Sequence, residues 1–187
     1  MMFEELNKNG EANELSKEQR LELLMNQFGR DVVRLAFTYT KEKQLAEDIA
    51  QEVFIRCYQN LDVFRHESSY KTWVFRITIN LCRDYFRSWN YKHITISDIF
   101  NKLSFTNRTP ETEYMNLEKN RVIGEKVLAL PLKYREVIIL YYYEEMSYNQ
   151  ISKLLNMSQQ TIKSRLHRAR LKLQKSLEKG ELDESYI

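Results

Sequence analysis

The side chains able to do chemistry are not arranged for breaking bonds. Glu47, Asp48 and Glu52 lie close together, but on one expected helix, without the distant His or Asp partners that octahedral cation coordination requires. His66-Glu67 begins like a His-Glu-x-x-His zinc motif, yet Tyr70 stands where the second histidine is needed. The three histidines, His66, His93 and His167, are scattered, and no glycine-rich phosphate loop is present. Cys57 and Cys82 fit neither a disulfide framework nor a metal-type spacing and read as small apolar residues in a reducing compartment. We therefore expect no catalysis, no metal and no cofactor from this chain.

What remains is chemistry toward a polyanion. The net charge of +3 over 187 residues hides a strong segregation of sign. Between Ser158 and Lys175 stand Lys163, Arg165, Arg168, Arg170, Lys172 and Lys175 with no acid among them. From Arg65 to Lys92, Arg65, Lys71, Arg76, Arg83, Arg87 and Lys92 oppose only Glu67 and Asp84. In that second stretch the bases are interleaved with Trp73, Phe75, Tyr85, Phe86, Trp89 and Tyr91. Two separate basic segments imply two sites on one polyanion. Solvated helix faces are the plainer alternative, and they leave the missing acids unexplained.

The elements that must position these groups are helical. Only four Gly and two Pro leave little room for hairpins. Ser16 can cap a helix from Lys17 to Phe28, and a further segment from Asp31 to Thr40 follows. Lys41 to Leu61 is the strongest amphipathic stretch, with Glu47, Asp48, Gln51 and Glu52 on its polar side. Another helix is expected from Tyr70 to Trp89, with a possible interruption near Asn80. Residues from Tyr91 to Leu117 are polar and irregular, which reads as a linker; helix returns from Leu117 to Leu130. Pro131 suits the first turn of an apolar helix covering Tyr134 to Glu144.

Ser147 and Gln150 then match a Ser-x-x-Gln capping box ahead of a short helix, Tyr148 to Leu155. Ser158 can cap a second helix with a buried stripe of Ile162, Leu166, Ala169 and Leu173. Its open face carries Gln159, Gln160, Lys163, Ser164, His167, Arg168 and Lys172. Two short helices with a tight turn, the second basic on its open face, describe a helix-turn-helix. No apolar run exceeds the seven residues Val137 to Tyr143, against ~20 for a membrane-spanning helix. The acidic start, Met1 to Ala12, lacks the basic and apolar regions of a secretory signal. We expect a cytoplasmic protein without membrane insertion.

Two blocks carry a family resemblance. LPLKYREVIILYYYEEMSYNQISKLLNMSQQTIKSRLHRARLKLQKSL resembles region 4 of bacterial sigma-70-family factors, and AEDIAQEVFIRCYQNLDVFRHESSYKTWVFRITINLCRDYFRSW resembles region 2. Having these two regions alone, in this order, is the layout of the extracytoplasmic-function (ECF) subfamily. The resemblance implies an all-α protein of two small helical domains joined by a flexible linker. Its parts would be an acidic extension (1–15), a region 2 domain (16–91), a linker (92–117), a region 4 domain (118–180) and an acidic tail (181–187).

The resemblance further implies that Asp48, Gln51 and Glu52, with Phe54 nearby, dock on the β′ clamp helices of core RNA polymerase. Region 4 would meet the β flap. Trp73, Arg76, Asn80, Arg83, Asp84, Tyr85 and Arg87 would recognise and melt the −10 element, with Asn80 to Asp84 forming a loop that pockets a flipped base. Gln160, Thr161, Lys163, Ser164, Arg165, His167 and Arg168 would meet the −35 element, Arg165 lying between faces. The linker would follow the polymerase RNA channel, and an anti-sigma factor would mask these surfaces. Gln160 replaces a common Gly of the family, and Asn149-Gln150 replaces common acids. A stand-alone helix-turn-helix repressor or activator is the alternative, which leaves the aromatic and basic segment of the first half without a task.

Overall fold

The computed structural model describes residues 15–64, 68–88 and 122–184. The chain divides into two compact units, Met1–His93 and Ile94–Ile187. Every regular element among the described residues is helical.

Unit 1 is built from α1 (Lys17–Thr40), α2 (Lys43–Asn60), a 3-10 turn (Leu61–Val63) and α3 (Tyr70–Ser88). Each of these helices packs on the other two. Ser16 opens α1 with a complete capping box, the Gln19 amide donating to Ser16 Oγ at 3.2 Å and the Ser16 amide to Gln19 Oε1 at 2.9 Å. The two expected segments, Lys17 to Phe28 and Asp31 to Thr40, form one helix. Gly29 costs only about 1 kcal/mol against alanine inside a helix. That cost is outweighed because Leu24, Phe28, Val32 and Leu35 fall on one buried line that crosses it. Lys41 ends the helix in a left-handed conformation, φ 57°.

Helix α2 contributes Ala46, Ile49, Ala50, Val53, Phe54 and Cys57 to the core, and α3 contributes Tyr70, Val74, Phe75, Ile79 and Cys82. No break occurs at Asn80: α3 runs through it to Ser88. Trp89, Tyr91 and the whole expected linker lie outside the described residues. The Thr78 hydroxyl, buried mid-helix, donates to the Val74 carbonyl at 2.9 Å, so no polar group is stranded there.

Unit 2 contains α4 (122–129), α5 (Leu132–Ile138), a π-helical turn (Ile139–Tyr143), α6 (Tyr148–Leu155) and α7 (Gln159–Glu184). Pro131 is the residue before α5, not one inside its first turn. The single apolar helix expected from Tyr134 to Glu144 is instead a short α-helix that widens, the Glu144 amide donating to the Ile139 carbonyl at 3.0 Å. A single π turn inside a helix adds one residue to one turn, too short a departure for apolar periodicity to reveal. Its effect is to rotate the tyrosines that follow Leu140. The chain then reverses at Glu145, φ 54°.

Ser147 and Gln150 form the expected capping box for α6, and Asn156 closes it with φ 55°. The Thr161 amide donates to Ser158 Oγ at 3.1 Å, starting α7. Ile162, Leu166 and Ala169 are buried as the spacing predicts, whereas Leu173, expected on the same stripe, is only half-buried. Helix α7 continues into the segment expected as an acidic tail, as far as Glu184.

Both cysteines are fully buried, and burial pushes each thiol up to about 12. Almost no thiolate then exists at neutral pH, and the thiolate is the reactive form. Native protein at pH 7.5 treated with iodoacetamide should show neither cysteine alkylated by mass spectrometry, and both alkylated in denaturant. Modification of either in the native state would contradict this packing.

Candidate nucleic-acid interface

The exposed side of α3 gathers much of the expected −10 set. Arg76, Asn80 and Arg87 are exposed and Arg83 is half-buried. Their four- and three-residue steps place them on one helical stripe. Asp84 lies beside it, 3.9 Å from the Arg87 guanidinium. Trp73 is half-buried and stacks on Phe64, ring centroids 4.7 Å apart and planes at 29°. Tyr70 meets the same tryptophan edge-on at 6.3 Å.

Between these groups lies a cleft of about 440 Å³. Trp73, Arg76 and Asn80 form its α3 wall, and Arg56, Asn60 and Val63 close the other side. The volume falls within the ~300–1,000 Å³ of small-molecule sites. Val63 is 71% exposed at the rim. An aromatic ring and two guanidinium groups around one open space suit a flat, uncharged base attached to a phosphate.

Two expectations for this side are corrected. Asn80 to Asp84 is not a loop: all five residues are in α3. The connection that borders the cleft comes before the helix, and Phe64 and Ser68 are its lining residues. Tyr85 is not part of the cleft either. Five residues past Asn80, it points to another side of the helix. Partial burial first, and then the Glu42 and Asp48 carboxylates, hold its phenol above the ordinary value.

The polar face of α2 is intact. Asp48 and Gln51 are exposed and Glu52 is half-buried. Asp48 accepts from the Gln44 amide at 3.2 Å, and Glu52 from the Arg56 guanidinium at 2.9 Å. Such exposed contacts add little stability. Phe54 does not share this face: at 7% exposure it is a core residue of unit 1. Ile55, 51% exposed, is the apolar residue that continues the stripe from Asp48 and Gln51.

In unit 2, Gln160, Lys163, Ser164, His167 and Arg168 are all exposed on α7. Thr161 is half-buried, and its hydroxyl is 2.8 Å from the capping Ser158 hydroxyl. Arg165 faces inward. Its guanidinium donates to Glu136 Oε1 at 3.0 Å, and the Glu136 side chain is only 5% exposed. This ion pair ties α7 to α5, so Arg165 is withdrawn from the open face. The nearby acid is thus buried under the helix, and the face itself stays acid-free.

Several residues of these surfaces are not apparent from spacing alone. Asn60, Val63 and Phe64 belong to the cleft only because the 3-10 turn folds them toward α3. Arg170, on the acid-free helix, donates from Nε to the Tyr142 hydroxyl at 2.8 Å. Tyr141 stacks on Tyr148 at 5.1 Å and 19°, and its hydrogen bond with Tyr148 is the main reason its phenol is held above the ordinary value. The run Tyr141-Tyr142-Tyr143 was the available signal, but only the π turn decides where each ring points.

Comparison with known proteins agrees with both halves. Residues 24–90 match the description "Sigma-70 region 2" and residues 121–173 match "Sigma-70, region 4". The chain is 37% identical over 140 residues to the ECF RNA polymerase sigma factor SigW of Bacillus subtilis, covering 71% of this chain and 75% of that one. It is 36% identical over 154 residues to the ECF RNA polymerase sigma factor SigM of the same organism, covering 82% and 93%. Among solved structures, the sigma factor RpoE of Bartonella quintana, in complex with the anti-sigma factor NepR, is similar in fold. Its TM-score is 0.61 at 22% identity, over 86% of this chain and 96% of that one. Matched in both halves, in order and across most of its length, the chain belongs to the sigma-70 family, among the ECF RNA polymerase sigma factors.

Proposed function

We propose that this transcription initiation factor divides its work among three surfaces, two of them on unit 1. The observation that carries the reading is the pairing, on one chain, of an aromatic and cationic cleft with an acid-free helix-turn-helix face. A factor that only read duplex DNA would have use for the second alone. A stand-alone repressor is therefore the weaker reading.

The α2 face of Asp48, Gln51 and Glu52 docks on a basic surface of core RNA polymerase, the β′ clamp helices by family resemblance, with the β flap meeting unit 2. The carboxylates steer the encounter, and Ile55 beside them offers apolar area for burial. Polymerase performs the nucleotidyl transfer. This takes place in the cytoplasm, where polymerase works; no helix among the described residues is long and apolar enough to cross a membrane.

On α7, Gln160, Lys163, Ser164, His167 and Arg168 enter the major groove at the −35 element. Arg and Gln offer paired donors to guanine or adenine edges, and the lysine neutralises phosphate. On unit 1, the α3 cleft receives an unpaired base of the −10 element. Flipping a base costs a few kcal/mol, and stacking on a ring such as Trp73 returns ~1–3 kcal/mol. Arg76 beside the ring meets the adjoining phosphate. Family resemblance adds an anti-sigma partner that covers these surfaces until a signal arrives.

Two tests address the two DNA surfaces. Trp73→Ala combined with Arg76→Ala should lower open-complex formation by more than about tenfold, which is the loss of one stacking contact before the Arg76 phosphate contact is counted. Permanganate reactivity of −10 thymines measures it, and unchanged reactivity would remove the cleft from the melting step. Arg168→Ala should weaken binding to a −35-containing promoter by about 1–3 kcal/mol and leave the melting temperature unchanged. Arg165→Ala should do the reverse, destabilising unit 2 by about 1–3 kcal/mol because a buried carboxylate loses a charged partner. Thermal melting beside promoter binding separates the two arginines.

A further inference from the structure

The aromatic and cationic groups of unit 2 form a connected array. The Lys163 ammonium lies 5.6 Å from the centroid of the Tyr148 ring. Tyr148 stacks on Tyr141, and the Arg170 guanidinium lies 5.8 Å from the centroid of Tyr141 and 5.5 Å from that of Tyr142. Lys163 and Arg170 are seven residues apart on α7, two turns of one helix side. Both ends of the array thus belong to the recognition helix, and the rings between them come from the π turn and from the first residue of α6.

We propose that Tyr148 is a positioning residue for DNA recognition: its ring, braced by Tyr141, holds the Lys163 ammonium at the start of α7 for contact with a promoter phosphate. This rests on the reading that the open face of α7 meets the −35 duplex.

Two observations and one physical argument carry it. First, Tyr148 is well anchored, since it follows Ser147, whose capping box with Gln150 fixes the start of α6. Its ring is further held by the near-parallel stack on Tyr141, so the lysine meets a fixed surface. Second, Lys163 is exposed and on a face without acids, so the ring is the contact that can restrain it without neutralising it. A cation–π contact leaves ammonium N–H donors available for an anion. Third, an unrestrained lysine loses the freedom of a four-carbon stem when it binds; restraint beforehand reduces that loss. Arg170, hydrogen-bonded to Tyr142 and lying against Tyr141, holds the far end of the array and keeps the rings in place.

The test uses the full chain assembled with core polymerase, titrated against a promoter duplex with a −35 element and one without, over a series of salt concentrations. Lys163→Ala should lower −35-dependent affinity and reduce the slope of log affinity against log salt by about 1. Tyr148→Leu should lower the same affinity about two- to fivefold, the size of an exposed cation–π contact. Tyr148→Phe keeps the ring and its stack on Tyr141 but loses the hydroxyl's hydrogen bond to Tyr141, and should restore most of it. In the Lys163→Ala background, Tyr148→Leu should have no further effect.

A full additional loss in that background would make Tyr148 structural and overturn the proposal. A Tyr148→Phe variant as weak as Tyr148→Leu would also overturn it, because the hydroxyl would then be the working group. If Lys163→Ala leaves affinity and salt slope unchanged, the underlying reading of Lys163 as a phosphate contact fails, and the positioning role falls with it.

Discussion

Each helix of so small a unit has one apolar stripe to give to the core, and that constraint decides which residues are left to meet a partner. In unit 1 the stripes of α1, α2 and α3 converge on Leu24, Val32, Val53, Val74 and Phe75, all fully buried. What remains on α2 is the arc of Asp48, Gln51, Glu52 and Ile55. What remains on α3 is the arc of Arg76, Asn80, Arg83 and Arg87. One helix is thus left acidic on its open side and the other basic. The separation lets one small bundle carry surfaces of opposite sign without the two neutralising each other.

Unit 2 meets the same constraint with an extra electrostatic demand. An acid-free recognition face repels itself as well as attracting DNA, and α7 carries six basic residues between Lys163 and Lys175. The structure answers with a carboxylate placed beneath the helix and rings placed beside it. Glu136 takes Arg165 from below, and the tyrosines of the π turn lie against Arg170. Both contacts stabilise positive charge while leaving the open face free of negative charge. The π turn is what makes the second possible, since it sets the direction of Tyr141 and Tyr142 after the short helix α5.

Periodicity and capping made much of this legible. The Ser16, Ser147 and Ser158 caps and the Ile162, Leu166, Ala169 stripe follow from local rules, and the structure reproduces them. The departures occur where tertiary contacts decide. Gly29 does not interrupt α1, because burial on both sides outweighs its propensity. Arg165 sits at the border of a polar arc, where a few tens of degrees of rotation assign it to the interior. Phe54 follows the apolar spacing of α2, and only the family resemblance set it beside the acids. The loop expected at Asn80 to Asp84 rests on the family resemblance alone; Leu81 and Cys82 within it are buried in the core and hold the segment in the helix. The cleft draws on residues from α2, the 3-10 turn and α3, and no spacing within one segment encodes such a meeting.

The central claim is that both units serve one polymerase-dependent event at a promoter. Run-off transcription with purified bacterial core polymerase and a genomic promoter library, with and without this protein, tests it most directly. The account predicts discrete new transcripts whose starts share two upstream elements, at −35 and −10. An absence of transcripts, together with tight polymerase-free binding to a palindromic duplex, would contradict it.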